Sequence, residues 1–304
     1  MPDSFGRRFA LFVDTEEDFD WSLPFTRTEH STRSAAAMAV FQARMETAGV
    51  KPVYLVDYAI ASAPEAAGLL RGFQDAGTCT IGAHLHPWIN PPHDEALSGP
   101  NSFAGNLPPE LEKAKLVELS RKIDDVFGRR PTVFRAGRYG VGARTAQTLV
   151  ELGYTIDTSI RARFDYSAQQ GPDFTRYRPL PYRLMEGALL EIPLTALFLG
   201  PIRAPARVQR LLSRVGLAKR VALTPEGTSL ADAKRAIDVL LEQDHRLFSL
   251  SFHSPSLAPG NTPFVRSAED LAGFYAWWDA ILDHFAKRGV APASVEEIAE
   301  AARA

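Results

Sequence analysis

RFALFVDTEEDFDW, residues 8–21, carries both the fold and the first chemistry of this 304-residue chain. From Arg8 to Asp14 it is a continuous apolar run ending in an acid, the pattern of a strand buried on both faces. Four more carboxylates, Glu16, Glu17, Asp18 and Asp20, follow at once. Similar apolar runs recur at 52–56, 78–84, 132–136, 155–157, 189–194 and 246–254. Helical patterns lie between them. The first is capped by Ser31 or Thr32 and runs to Ala48 before Gly49, and the second covers 64–76 before Gly77. Others cover 109–127, 143–152, 204–221, 230–243 and 267–287. Ser294 with Glu297 forms a capping box for the last helix. Strands alternating with helices predict parallel strands in one α/β domain, with an irregular insertion at about 161–200 and C-terminal helices over about 267–303.

Composition narrows the function. Apolar residues are 45% and charged residues 23%, so disorder is excluded. Lys plus Arg is 34 against 36 Asp plus Glu, a net of −2, and no bulk cationic field exists for nucleic acid. The single cysteine, Cys79, excludes an internal disulfide and a zinc ribbon. The apolar run after the N-terminal arginines is too short for a signal-peptide core, and no stretch approaches the roughly 18 apolar residues of a membrane span. A cytoplasmic location is the expectation.

Reactive side chains fall at the strand ends, where sites form in α/β barrels and open sheets. Asp14, His84, Arg135, Asp157 and His253 each sit there. In GAHLHPW (residues 82–88), His84 and His86 stand at i and i+2, so an extended backbone points both imidazoles to one side, toward one cation. A third ligand has to be a carboxylate, and the acidic cluster from Asp14 to Asp20 supplies candidates. Such a set leaves an open position for water, as in hydrolytic metal sites. Asp14 suits a base, His253 an acid and Arg135 a bidentate support for the base.

These residues resemble the polysaccharide deacetylases of carbohydrate esterase family four, the nodulation-type deacetylase homology domain, in five ordered motifs. FVDTEEDFDW (12–21) is similar to a variant first motif opening Asp-x-Glu, GAHLHP to the histidine motif shortened by two residues, and FRAGRYG (134–140) to the arginine motif without its prolines. IDTSI (156–160) and SLSFHSPS (249–256) resemble the last two. The resemblance implies a distorted (β/α)7 barrel in a single domain and a divalent metal, Zn²⁺ for preference. It makes Asp14 the catalytic base and His84, His86 and Glu16 the metal ligands, with Glu17 the fallback. It implies that Arg135 holds the base, that the Tyr139 backbone N–H helps bind the oxyanion, and that Asp157 partners the general acid His253. The implied reaction removes N-acetyl or O-acetyl groups from a sugar or polysaccharide precursor, in cell-wall or surface-polysaccharide biosynthesis.

Two alternatives stay open: metal-independent hydrolysis of a cyclic amide or ureide, and a glycan-binding pseudoenzyme. Trp21, Phe25, Trp88 and Phe103 lie in loops after the first and third strands, where aromatic faces can stack on sugar rings; Trp21 and Trp88 are the chosen substrate contacts. The segment 203–220 is basic, with Arg207, Arg210 and Arg214 on one helical face; it reads first as a solvated amphipathic helix, the alternative being a surface for peripheral contact with anionic lipid or a pyrophosphate-linked sugar carrier.

Overall fold

The computed structural model describes residues 1–200, 208, 212 and 217–303. Its strands are β1 (Arg8–Thr15), β2 (Val53–Val56), β3 (Thr80–Leu85), β4 (Val133–Ala136), β5 (Ile156–Asp157), β6 (Tyr182–Leu184), β7 (Leu189–Glu191), β8 (Ala196–Leu199), β9 (Lys219–Ala222), β10 (Leu247–His253) and β11 (Ala291–Pro292). The α-helices are α1 (Met38–Thr47), α2 (Tyr58–Ser62), α3 (Pro64–Asp75), α4 (Pro109–Phe127), α5 (Thr145–Glu151), α6 (Leu230–Leu241), α7 (Ala268–Lys287) and α8 (Val295–Ala301).

The main sheet runs β10-β1-β2-β3-β4-β5-β7-β6, with β11 beside the start of β1. Its neighbours pair in parallel except for the edge strand β6. The hairpin β8–β9 stands apart, but its base reaches back to β10: Thr195 N–H donates to Ser249 O at 3.2 Å and Ser251 N–H to Leu223 O at 3.3 Å. The sheet is therefore curled and incompletely closed.

Alternation along the strands decides what lies inside. In β1, Phe9, Leu11 and Val13 pack into the larger apolar cluster, shared with the surrounding helices, while Ala10 and Phe12 join the interior cluster. On β3, Ile81, Ala83 and Leu85 take the helix side, which leaves Gly82 and His84 inside. Gly82 is needed there, because a Cβ would stand 2.7 Å from Leu55 Cδ2 and 2.8 Å from Val133 O. Val133 is interior, so Arg135 is too; Phe248, Leu250 and Phe252 face the helices, so Ser249, Ser251 and His253 face in.

Several expectations shift. Ser31 and Thr32 do not cap the first helix. A 3₁₀ turn at Arg33–Ala37 precedes α1, and Thr32 makes no cap bond. Ser31 Oγ instead donates to Asp18 Oδ2 at 2.7 Å, and Asp18 also accepts the Ser34 N–H at 3.1 Å. The expected strand at 189–194 ends at Glu191. The expected helix at 204–221 and the basic face at 203–220 lie for the most part outside the described residues; after description resumes at 217, residues 219–222 are strand β9, not helix. The capping box of α8 forms as expected. Among the described residues no helix is long and apolar enough to cross a membrane.

Candidate active site

The interior positions at the carboxyl ends of the strands meet in a cavity of about 270 Å³. Asp14, Glu16, His84, His86, Tyr139, His253, Trp21 and Trp88 all line it. Sequence reasoning selected each of these. Arg135 lies buried behind Asp14.

Glu16 Oε2 lies 3.4 Å from His84 Nε2 and 3.3 Å from His86 Nε2. The far nitrogens of both rings are committed. His84 Nδ1 stands 3.1 Å from the Arg135 carbonyl, which can only accept, so that nitrogen carries the hydrogen. His86 Nδ1 donates in the same way to Glu17 Oε2 at 2.8 Å. In the neutral rings both Nε2 lone pairs therefore point toward a carboxylate oxygen, and Glu16 Oε1 is buried with no hydrogen-bond partner. Converging lone pairs repel unless a cation lies among them. Donors about 2.0–2.1 Å from a tetrahedral first-row cation stand roughly 3.3–3.4 Å apart, the spacing seen here. The residues thus fit a divalent metal, and the buried carboxylates beside them draw positive charge to this spot. Burial opposes ionisation of Glu16, yet His253, His84 and His86 hold its carboxyl well below the usual range. Burial opposes protonation of His86, yet Glu17 and Glu16 push that ring well above the ordinary imidazole value.

The supports of the two histidines come from nearby. Glu17 takes His86 on one oxygen and the Trp88 indole N–H on the other, at 2.8 Å, and the Trp88 ring stacks on His86 with centroids 4.2 Å apart. Glu17 is thus tied to His86 and Trp88, and Glu16 is the carboxylate that meets both Nε2 atoms. Trp88 lines the cavity, but its polar edge serves this cluster. Asp57 caps α2 through the Ile60 N–H and accepts the Glu17 N–H at 2.9 Å. Gly137 has to lack a side chain, because a Cβ there would overlap the His86 ring.

Arg135 Nη1 reaches Asp14 Oδ1 at 2.5 Å, while Nε and Nη2 bond the Thr158 carbonyl and hydroxyl at 3.0 Å each. His253 Nε2 is 3.7 Å from Asp14 Oδ2 across the cavity. The expected partner of His253 is not Asp157. His253 Nδ1 bonds Glu226 Oε2 at 2.7 Å, and Glu226 Oε1 accepts the His253 N–H at 3.1 Å and the Ser256 hydroxyl at 2.6 Å. The reason is parity: Ile156 and Leu190 take the interior positions of β5 and β7, so Asp157 and Glu191 face the other way. Asp157 accepts the Ser159 N–H at 3.0 Å, and burial lifts its carboxyl to about 6. Burial weighs against a charged His253, but Glu226, Glu16 and Asp14 outweigh it and raise the imidazole to about 9. Glu226 follows β9, a strand hidden inside an expected helix, so no strand end marked it in the sequence.

Trp21 is 38% exposed and stands edge-on to His253, centroids 4.8 Å apart. Phe25 packs on Trp88, and Phe103 is buried beneath the Arg138 guanidinium rather than facing the cavity.

No family model and no curated protein matches the sequence. Solved structures do match in shape. A protein assigned as a polysaccharide deacetylase from Pseudomonas aeruginosa PAO1 superposes with a TM-score of 0.56 at 15% identity, over 98% of this chain and 92% of that one. One assigned likewise from Mycobacterium smegmatis gives 0.53 at 16%, over 98% and 91%. PuuE allantoinase gives 0.54 at 15%, over 97% and 90%. At such identities the likeness is one of fold: the chain has an α/β fold whose curled, incompletely closed sheet resembles the distorted barrel of those proteins. Proteins of different named activity share that barrel, so function has to be argued from the site.

Proposed function

We propose that the chain is a metal-dependent hydrolase that removes acetyl groups from an amino sugar or an acetylated polysaccharide precursor, with Zn²⁺ held by Glu16, His84 and His86. The carrying observation is the meeting of two imidazole Nε2 atoms and one carboxylate oxygen beside a paired acid and base in one cavity. Bound there, the cation supplies Lewis acidity to a water and to an acyl oxygen. Asp14, oriented by Arg135, takes the proton of the attacking water. Water oxygen adds to the acyl carbon, the carbonyl oxygen takes up the electron pair, and its return expels the nitrogen. His253 gives the departing nitrogen its proton through Nε2, while Glu226 on Nδ1 orients the ring and favours its charged form. The Tyr139 N–H is our candidate donor to the developing oxyanion. Acetate and a free amine leave. Trp21 offers a partly exposed aromatic face at the mouth for a sugar ring.

A metal-free mechanism for a cyclic amide leaves the three converging lone pairs without a purpose, and a pure binding module has no use for the Asp14 and His253 pair. The test is metal analysis with acetate release from a panel of acetylated oligosaccharides. We expect about one equivalent of zinc and chelator-sensitive release, both lost in His84→Ala. Full activity in a chelated protein or in His84→Ala overturns the reading.

A further inference from the structure

The same cavity wall carries two guanidinium groups that the reaction above does not use. Arg138 and Arg161 both line the cavity, and among the described residues neither forms an ion pair. Arg138 is tied to neutral acceptors: the Gly99 carbonyl at 3.4 Å, the Ser102 hydroxyl and the Gln169 carboxamide. Its carbon Cζ lies 4.1 Å from the Phe103 ring centroid. These contacts give it a structural task, the joining of two loops.

Arg161 has less to do. Its one side-chain hydrogen bond within the described residues goes from Nη1 to the Tyr166 hydroxyl at 3.1 Å. Its Nε is buried with no partner. Cζ lies 3.9 Å from the Phe164 centroid and 5.2 Å from that of Tyr139, so aromatic rings hold the group flat at the wall. Glu226 is near enough to favour its charge, but the Glu226 oxygens are taken by His253 and Ser256. A second cavity of about 480 Å³ begins at Arg161 and continues past Lys219 and Arg220. Arg220 Cζ also lies 3.9 Å from the Phe164 centroid.

A half-buried guanidinium with a buried, unpartnered Nε and no acid of its own keeps its charge unanswered, and its planar fork matches a carboxylate or phosphate with two parallel hydrogen bonds. A neutral sugar would leave that charge unanswered.

We propose that the substrate is anionic: an acylated sugar bearing a carboxylate or a phosphate close to the acyl group, with that anion received by Arg161. This rests on the deacetylase reading for the acyl group but not for the anion. The test therefore reads binding and turnover separately. Binding is measured by calorimetry on the metal-loaded Asp14→Asn protein, which lacks the proposed base, with N-acetylglucosamine, its 1-phosphate, its 6-phosphate and the corresponding uronic acid as probes. We expect at least one anionic probe to bind ~10-fold or more tightly than the neutral sugar, with the preference shrinking in high salt. Which probe wins tells phosphate from carboxylate. Adding Arg161→Gln should bring the charged-to-neutral ratio toward one, and adding Arg161→Lys should restore part of it, since charge returns without the fork. Equal affinity for charged and neutral probes overturns the proposal, as does a ratio untouched by Arg161→Gln in a protein that melts like its parent. Should Arg161→Gln fail to fold, Arg161→Lys decides: a ratio equal to the parent's counts against the fork. Acetate release by the unmodified enzyme is read alongside. Arg161-dependent anion binding with no acetate from any probe keeps the anion site and removes the deacetylase, whereas equal release from neutral and charged probes does the reverse.

Discussion

The arc from β10 to β4 and the arc from β5 to β6 treat their polar residues in opposite ways. β1 and β10 share seven register pairs, β1 and β2 four, β2 and β3 four, and β3 and β4 three. In ladders of that length a one-residue slip would turn every interior side chain outward, so register is strongly specified. Asp14, His84, Arg135 and His253 all inherit interior positions and meet. β5 pairs with β4 and with β7 over only two residues each. There the apolar residues Ile156 and Leu190 hold the interior, and two acids, Asp157 and Glu191, are buried together on the far side. The acid that serves His253 comes from Glu226, on the hairpin side of the seam where the curled sheet nearly closes. A long ladder delivers side chains to a site; a short one lets core packing decide.

The sharpest break of this contrast is at the long-ladder end. Asp14→Asn should lower kcat/KM by roughly 10²–10⁴, the usual range for a lost acid–base group, with metal content unchanged. A loss below tenfold would remove Asp14 from the chemistry. Next comes Glu226→Gln, for which we expect a loss of roughly tenfold to a hundredfold and a shifted pH profile. His253 acts when protonated, so activity is present below its pKa and lost as pH rises through it. Glu226 raises that pKa; without its charge the alkaline limb of kcat should move toward neutral pH. An unmoved limb would return Glu226 to a purely structural role.

Much of this contrast can be read in the chain itself. The run ending in Asp14, the paired histidines on one face of an extended segment, and the late strand ending in His253 each combine an element with a parity. That is enough to bring their side chains together. The two-residue β5 offers no period to read, so nothing local says that Ile156 rather than Asp157 turns inward. Glu226 was illegible for a different reason: the basic amphipathic pattern before it reads as helix through residue 221, and β9 exists through its pairing with β8. The cap of the first helix failed because a distant acid, Asp18, competes for Ser31 and Ser34, a contact made only in the folded chain. Arg161 sits in an irregular stretch with no period at all.

Gly137→Ala tests the close approach of β4 to the histidine pair. Its Cβ would overlap the His86 ring and stand 2.6 Å from the Leu85 carbonyl oxygen, so the ring and the backbone beside it have to shift. We expect zinc affinity to fall about 10- to 100-fold, the effect of disturbing a ligand's support, while the fold persists. Competition with a chromogenic chelator measures it, and unchanged affinity would mean that His86 is not a ligand.

The smallest effect on catalysis and the clearest on stability belong to Asp157→Asn. The structure holds Asp157 away from His253, so activity should stay within about twofold of the parent. A loss near that of Glu226→Gln would put Asp157 back beside the general acid. Stability should move the other way. Burial raises the Asp157 carboxyl from 3.8 to about 6. A raised carboxyl means that the fold prefers the protonated form. The native state is then favoured below the unfolded value, loses that advantage between about pH 4 and pH 6, and carries the penalty unchanged above. Asparagine removes the charge and keeps an oxygen for the Ser159 N–H. The variant should therefore gain on the order of 1–3 kcal/mol at pH 7 and lose that advantage by pH 4, which melting temperatures across this range will show. Glu191 shares the burial, and its carboxyl is pushed well above its usual range by desolvation and by the Asp157 charge. Removing Asp157 leaves Glu191 free of that repulsion, so a second, smaller gain from Glu191→Gln should no longer add in full to the first.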